Sequence, residues 1–144
     1  TKYLSSSFRI IDDYGHHPTE IERTLKALRN HEQPERLICV FQPHQHSRTR
    51  FLLEQFAESF AQADEVLVPP IYFVRDSEAE KHRVSAVDLV RRLQDRGIAA
   101  RHVDTFDAIV EILEQDLVAG DLLVIMGAGP VWTIGHDYLD RSTP

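Results

Sequence analysis

The sequence predicts an α/β fold: an open, mostly parallel twisted sheet with helices on both faces, Rossmann-like, in a single domain over residues 1–144. Three observations predict it. Short β-type apolar runs alternate with amphipathic helical patterns along the chain. One run, residues 37–41, is apolar throughout, as a central strand buried on both faces is. No linker, internal repeat or low-complexity stretch divides the 144 residues, a length that suits one core.

Residues 8–11 read as the first strand. Pro18 suits the first turn of the helix that follows, where Ile21, Leu25 and Leu28 fall at i, i+4 and i+7. Asp12 or Asp13 is a candidate cap for that helix, and "NHEQPE" closes it. Residues 37–41 form the second strand. After "QPHQHSRTR" one helix is expected, with Leu53, Phe56, Ala57 and Phe60 on one face. Glu65–Val68 is the third strand, stopped by Pro69 and Pro70. Residues 71–83 are polar and irregular and read as a loop.

Ala86, Leu89, Val90 and Leu93 mark the next helix, ended by Gly97. Residues 98–103 are the fourth strand. Phe106, Ile109, Val110, Leu113 and Leu117 repeat the helical spacing, with Asp104 or Thr105 as N-cap. Gly120 and Asp121 turn the chain into residues 122–126, the fifth strand. "GAGP" and a short last helix through Tyr138 or Leu139 follow, with Trp132 as a packing anchor.

Hydrophobic residues make up 42% of the chain, a globular level. The net charge of −7 argues against sequence-independent nucleic-acid binding, which needs cations to replace phosphate counterions. The single cysteine, Cys39, lies inside "LICVF" and reads as a buried small hydrophobe in a reducing compartment. No apolar run approaches the ~20 residues that span a bilayer and no signal peptide is visible, so a soluble cytoplasmic protein is expected. The chain opens on Thr1 and reaches strand-like sequence by Phe8, as expected of a piece of something longer with part of its active site elsewhere.

In such a sheet, ligands bind at the carboxyl ends of the strands. Three unusual segments fall there: "DDYGHHP", "QPHQHSRTR" and "MGAGP". Five of the eight histidines (His16, His17, His44, His46 and His136) lie in or just after them, whereas His31, His82 and His102 read as surface residues. An aspartate such as Asp12 or Asp13 can hold a ribose diol. Tyr14 offers a flat face and a hydroxyl. Gly15 suits a tight turn. His16 and His17 can orient an anion or work as acid and base, although His17, before Pro18, equally suits a structural role. Arg48 and Arg50 open a helix, and cations at a helix N-terminus favour an anion. The glycines of "GAG" let backbone amides approach a ligand closely.

Other motifs are missing. Gly135 falls too late for a dinucleotide fingerprint, and no G-x-x-x-x-G-K-[ST] loop exists. His44 and His46 alone make a poor metal site, so no metal ligands are assigned.

Read together, "IIDDYGHHPTEI", "VFQPHQHSRTR", "IYFVRDSE" and "LLVIMGAGPVWTIG" resemble, in that order and over essentially the whole chain, the C-terminal domain of the Mur ligases. Within that family they are most similar to the branch that joins L-alanine to UDP-N-acetylmuramate in peptidoglycan synthesis. The resemblance implies an ADP-forming amide synthesis. ATP phosphorylates the muramoyl carboxylate, and the amine of L-alanine attacks the acyl phosphate. It implies three domains: an N-terminal one for the UDP-sugar, a central one for the ATP phosphates and Mg2+, and a third, resembled here, that closes over both. Alone, this domain would be inactive.

The resemblance also assigns roles. Tyr14 and His16 match positions near the L-alanine and nucleotide site, and Asp12 or Asp13 would face the ATP ribose. His44 and Arg48 match the second motif, with groups on the amino-acid carboxylate and the reacting phosphate. The sequence departs from the family pattern at Gln45, where a second arginine is common, at Pro130, where an acid is usual, and in "IYFVRDSE". Gln45 leaves one carboxylate contact open. Arg50 is poorly placed to supply it, because two residues along a helix point about 160° apart. Two alternatives stay open: another Mur-type ligase, such as the tripeptide-recycling one, and a non-catalytic nucleotide- or anion-binding module.

Overall fold

The computed structural model describes residues 2–4, 9–13 and 15–142. Its strands are β1 (Lys2–Leu4), β2 (Arg9–Asp13), β3 (Arg36–Phe41), β4 (Glu65–Val68), β5 (Ala99–His102) and β6 (Asp121–Met126). Its helices are α1 (Pro18–Glu32), α2 (His46–Phe51), α3 (Leu53–Glu58), α4 (Glu78–Lys81), α5 (Ala86–Asp95), α6 (Phe106–Asp116) and α7 (Thr133–Ser142), the last preceded by a 3-10 turn, Pro130–Trp132. The strands form one sheet in the order β1-β2-β6-β3-β4-β5. β2, β6, β3, β4 and β5 are mutually parallel, and β1 adds an antiparallel edge that hydropathy did not reveal.

Side chains alternate across the pleat, so each central strand feeds two cores. Leu37, Cys39, Phe41, Leu122, Val124 and Met126 pack with Ile21 of α1, Phe56 of α3 and Leu89 of α5. Ile38, Val40, Leu123 and Ile125 pack with Ile109 of α6 and Ile134 of α7. The steps from β2 to β3 to β4 to β5 run one way across the sheet, with helices on one face. The return to β6 goes the other way, with α6 on the opposite face, which keeps the hand of the crossovers constant. That return inserts β6 between β2 and β3.

The register then aligns three strand ends. Asp13 pairs with Met126, and Met126 pairs with Phe41. The segments leaving β2, β6 and β3 therefore start side by side, and this row positions the candidate site.

Several expectations need correction. Residue 8 lies outside the described residues. Asp12 and Asp13 belong to β2 and do not cap α1. His17 does: its Nδ1 accepts the Thr19 N–H at 3.2 Å, and Glu20 accepts the His17 N–H at 3.3 Å. The helix expected after "QPHQHSRTR" breaks at Leu52 into α2 and α3, which answer to different anchors. α3 buries Phe56 and Ala57, whereas α2 is tied to the segment after β4. The loop expected over 71–83 contains α4, whose first turn is capped by Ser77 Oγ accepting the Glu80 N–H at 3.2 Å.

Trp132 is 52% exposed and is no packing anchor; its ring meets His136 edge-on at 5.3 Å. His102 is more than a surface residue. Its ring nitrogens lie 2.8 Å from the Val68 carbonyl and 2.8 Å from Asp104, tying the ends of β4 and β5 together. Thr105 is the cap of α6, accepting the Ala108 N–H at 3.1 Å. Cys39 is buried. No helix among the described residues is long and apolar enough to cross a membrane.

Candidate active site

At the aligned strand ends, backbone hydrogen bonds extend the row outward. Gly127 donates to the Asp13 carbonyl at 3.2 Å, and Gln42 donates to the Met126 carbonyl at 3.1 Å. The "GAG" turn lies directly on the neighbouring segments. Gly127 has φ +148°, and a Cβ there would come within 2.9 Å of Val131 and 3.0 Å of the Gln42 carbonyl. A Cβ on Gly129 would meet the Tyr72 ring at 2.8 Å. The groups these glycines admit are thus internal, Gln42 and Tyr72. Gly15 likewise admits Asp13, whose Oδ1 accepts its N–H at 2.6 Å.

His16, from the segment after β2, and His44, from the segment after β3, meet here. Their rings stand edge-on, with centroids 6.3 Å apart. His44 also packs on Tyr72, ring to ring at 5.7 Å. The buried Nδ1 of His44 has no hydrogen-bond partner among the described residues. Burial lowers the His44 pKa, and the charges of Arg48, His16 and Arg75 push it the same way. The imidazole is therefore neutral at pH 7. Arg48, on α2, has no carboxylate partner among the described residues.

The segment 72–76 runs beside 43–47 like a short extra strand. His44 and Tyr72 form a parallel bridge. Tyr72 donates to the Pro43 carbonyl at 2.9 Å, and Gln45 donates to the Tyr72 carbonyl at 3.0 Å. The Gln45 side chain reaches the carbonyls of Val74 (3.3 Å) and Arg75 (3.4 Å). Gln45 thus holds the loop, and φ +68° at this position is part of that geometry.

Asp76 completes the tether. Its Oδ2 accepts the N–H groups of His46 at 2.5 Å and Ser47 at 3.0 Å. The anion that the start of α2 was expected to attract is therefore this internal carboxylate. Arg50 is equally committed, forking onto Glu80 with two bonds of 2.8 Å. It cannot stand in for an arginine at position 45.

The histidine cluster thus divides. His16 and His44 come together. His17 caps α1. His46 is buried beside Phe73, with its ring 5.8 Å away. His136 lies on α7 against Trp132. The two aspartates also part, because successive strand residues point to opposite faces. Asp12 lies toward α7, where its Oδ1 would be 4.0 Å from a Cβ on Gly135. Burial there raises its pKa against the opposing pull of His136. Asp13 stays at the rim with Gly15. Tyr14 lies outside the described residues. Among the described residues no group of three His, Cys, Asp or Glu side chains converges as a metal ion needs.

Tyr72, Arg75 and Asp76 belong to the site's frame; they lie in "IYFVRDSE", one of the segments that carry the resemblance, but residue pattern alone read that stretch as loop and gave them no role. Their partners lie about thirty positions away, and only the parallel bridge brings them in. Cavities of about 380 and 400 Å³ open elsewhere, by the amino ends of β4 and β5 and along β5.

Known proteins share this architecture. A UDP-N-acetylmuramate–L-alanine ligase of Caldanaerobacter subterraneus subsp. tengcongensis is 41% identical over 133 residues, covering 92% of this chain and 28% of that protein. One from Agathobacter rectalis is 42% identical over 132 residues, with the same coverage. The chain therefore spans 28% of the length of these relatives. Among solved structures, a UDP-N-acetylmuramate-alanine ligase from Thermotoga maritima superposes with a TM-score of 0.71 at 23% identity, covering 93% of this chain and 26% of that one. A murein peptide ligase from Psychrobacter arcticus gives a TM-score of 0.68 at 21% identity, covering 93% and 27%. At those identities the likeness is one of fold. The family described as "Mur ligase, glutamate ligase domain" matches residues 2–129, and with that match over most of its length the chain belongs to the Mur ligase family.

Proposed function

We propose that this chain is the C-terminal domain of an ATP-dependent, ADP-forming ligase that joins L-alanine to the carboxylate of UDP-N-acetylmuramate in peptidoglycan synthesis. Its relatives at 41% and 42% identity carry that name. One structural observation supports it most. His16 and His44 share a rim contact, and the charge of Arg48, a cation without a carboxylate partner among the described residues, acts on His44.

The domain's own contribution is positional. Arg48 would grip the amino-acid carboxylate in a fork and neutralise charge as the amine attacks the acyl phosphate. His44, held neutral, can accept a proton from the incoming amine. His16 and Tyr14 would line the amino-acid and nucleotide side. A ribose contact falls to Asp13, since Asp12 is turned toward α7. Holding the amine in line with the acyl carbon converts a bimolecular step into a nearly unimolecular one.

ATP phosphates and Mg2+ would be held by the N-terminal and central domains of the parent chain. The residues described here do not form a metal site, and no step is assigned to a metal in this domain. The nucleotide substrates of such a ligase put its work in the cytoplasm.

The test is amino-acid-dependent ADP release by the full-length parent enzyme. Release that needs UDP-N-acetylmuramate and L-alanine supports the assignment. Release that needs a tripeptide instead identifies a recycling ligase. Tight ATP binding by these 144 residues alone, with no ligation by the parent, identifies a binding module.

A further inference from the structure

Arg75 stands out in the segment that covers the rim. It is exposed and adopts φ +48°, a left-handed conformation unfavourable for a side chain of this kind. Such a conformation persists only where its surroundings enforce it. Here they do so from both sides. The Gln45 amide holds the Val74 and Arg75 carbonyls, and Asp76 holds the first N–H groups of α2. The backbone between those anchors is thus held against Gln45, next in sequence to His44.

Its charge is free. Neither Arg75 nor Arg48 has a carboxylate partner among the described residues, whereas Arg50, on the same helix as Arg48, is forked onto Glu80. Arg83 and Arg91 also lack ion pairs among the described residues, but they lie at a separate surface cavity with Asp88 and Asp95. The Gln45 amide and the His44–Tyr72 bridge hold residue 75 against the segment that carries His44, whose buried Nδ1 has no hydrogen-bond partner among the described residues. The charges of Arg48 and Arg75 both act on that ring, as does that of His16. Two guanidinium groups that lack carboxylate partners and act on one ring favour an oxyanion that bridges them.

We propose that Arg75 is the second guanidinium of the rim. With Arg48 it forms a two-armed clamp for the carboxylate of the incoming amino acid, and Gln45 serves as the bracket that aims it. The inference rests on the ligase assignment above. An oxyanion here could instead be a phosphoryl group of ATP or of the acyl phosphate, and the two sources are separable by kinetics.

The experiment uses the full-length parent enzyme carrying Arg75→Gly, which relieves the left-handed backbone while deleting the charge, and Arg75→Lys, which keeps a charge without the fork. The expected result is a rise of about 10- to 100-fold in the L-alanine KM for Arg75→Gly, the loss typical of one charge-assisted contact. The ATP KM and the melting temperature stay near wild type, and Arg75→Lys recovers part of the loss. An unchanged L-alanine KM in an active enzyme overturns the proposal while leaving the ligase assignment intact. A rise in the ATP KM instead also overturns it and assigns Arg75 to phosphate. A wild-type parent that shows no alanine-dependent ADP release removes both.

Discussion

The imidazoles of His16 and His44 meet edge-on, 6.3 Å apart, from segments that leave two strands separated in the sheet by β6. The contact exists because Asp13, Met126 and Phe41 end their strands in one row. Burial, then Arg48, then His16 and Arg75 lower the His44 pKa. Replacing Arg48 by Ala removes one of those causes. An NMR titration of the His44 ring should therefore move upward in Arg48→Ala, and a midpoint that stays put would break the link between the two residues.

The same depression makes His44 a pH-dependent contributor to stability. Its folded pKa lies below the unfolded one, so the unfolded chain binds the proton first as pH falls. The contribution is intact above about pH 6.5 and is lost between there and the folded pKa. His44→Gln should flatten that part of a urea-unfolding profile. A residual slope of the same sign remains from His46, whose pKa burial also lowers.

Asp76 fastens α2 to the covering segment. Burial would raise its pKa, but hydrogen bonds from Ser47, His46 and Ser77 outweigh that and hold it below the ordinary value. Its stabilisation is present above the unfolded value of about 3.9 and is lost as pH falls through the folded one. Asp76→Ala should cost about 2 kcal/mol in urea unfolding at pH 7, because it orphans backbone donors at a helix start. Asp76→Asn, which keeps an acceptor, should cost less.

At the opposite edge of the sheet, Asp121 is 2% exposed and accepts from Arg36 at 2.7 and 3.2 Å and from the Val118 N–H at 2.9 Å. Asp121→Ala takes two bonds from Arg36, which keeps the Asp116 carbonyl at 2.8 Å, and orphans the Val118 N–H, and should destabilise by about 2 kcal/mol. The rim is untouched, so kcat/KM of the parent enzyme should hold at temperatures where the variant is folded. A fall in activity without a fall in stability would contradict this separation.

Burial pushes the Cys39 thiol well above its ordinary pKa. A thiol-directed reagent should therefore react with the native chain only through unfolding, at a rate that rises steeply with urea. Fast labelling in buffer would place Cys39 outside the core.

Legibility in the sequence followed locality. The run at 37–41 announced a central strand because burial on both faces leaves no polar position; 122–126 was legible as a strand, but its insertion between β2 and β3 was not. His44 and Arg48 stood out because polar chemistry was dense beside a strand end. The break at Leu52, the role of Gln45 and the reach of Asp76 to α2 were hidden, since each depends on a bridge to a segment some thirty residues away. Trp132 misled because size suggests packing, whereas its helix turns it to solvent. The antiparallel β1 lay in a polar opening segment with no alternation to reveal it.

The most direct test of the central claim, that this rim is half of an amino-acid site, is kcat/KM for L-alanine in the full-length enzyme carrying Arg48→Ala. A fall of about 100-fold is predicted, as for loss of one charge-stabilising donor. An unchanged kcat/KM, with ADP release still dependent on L-alanine, would contradict it.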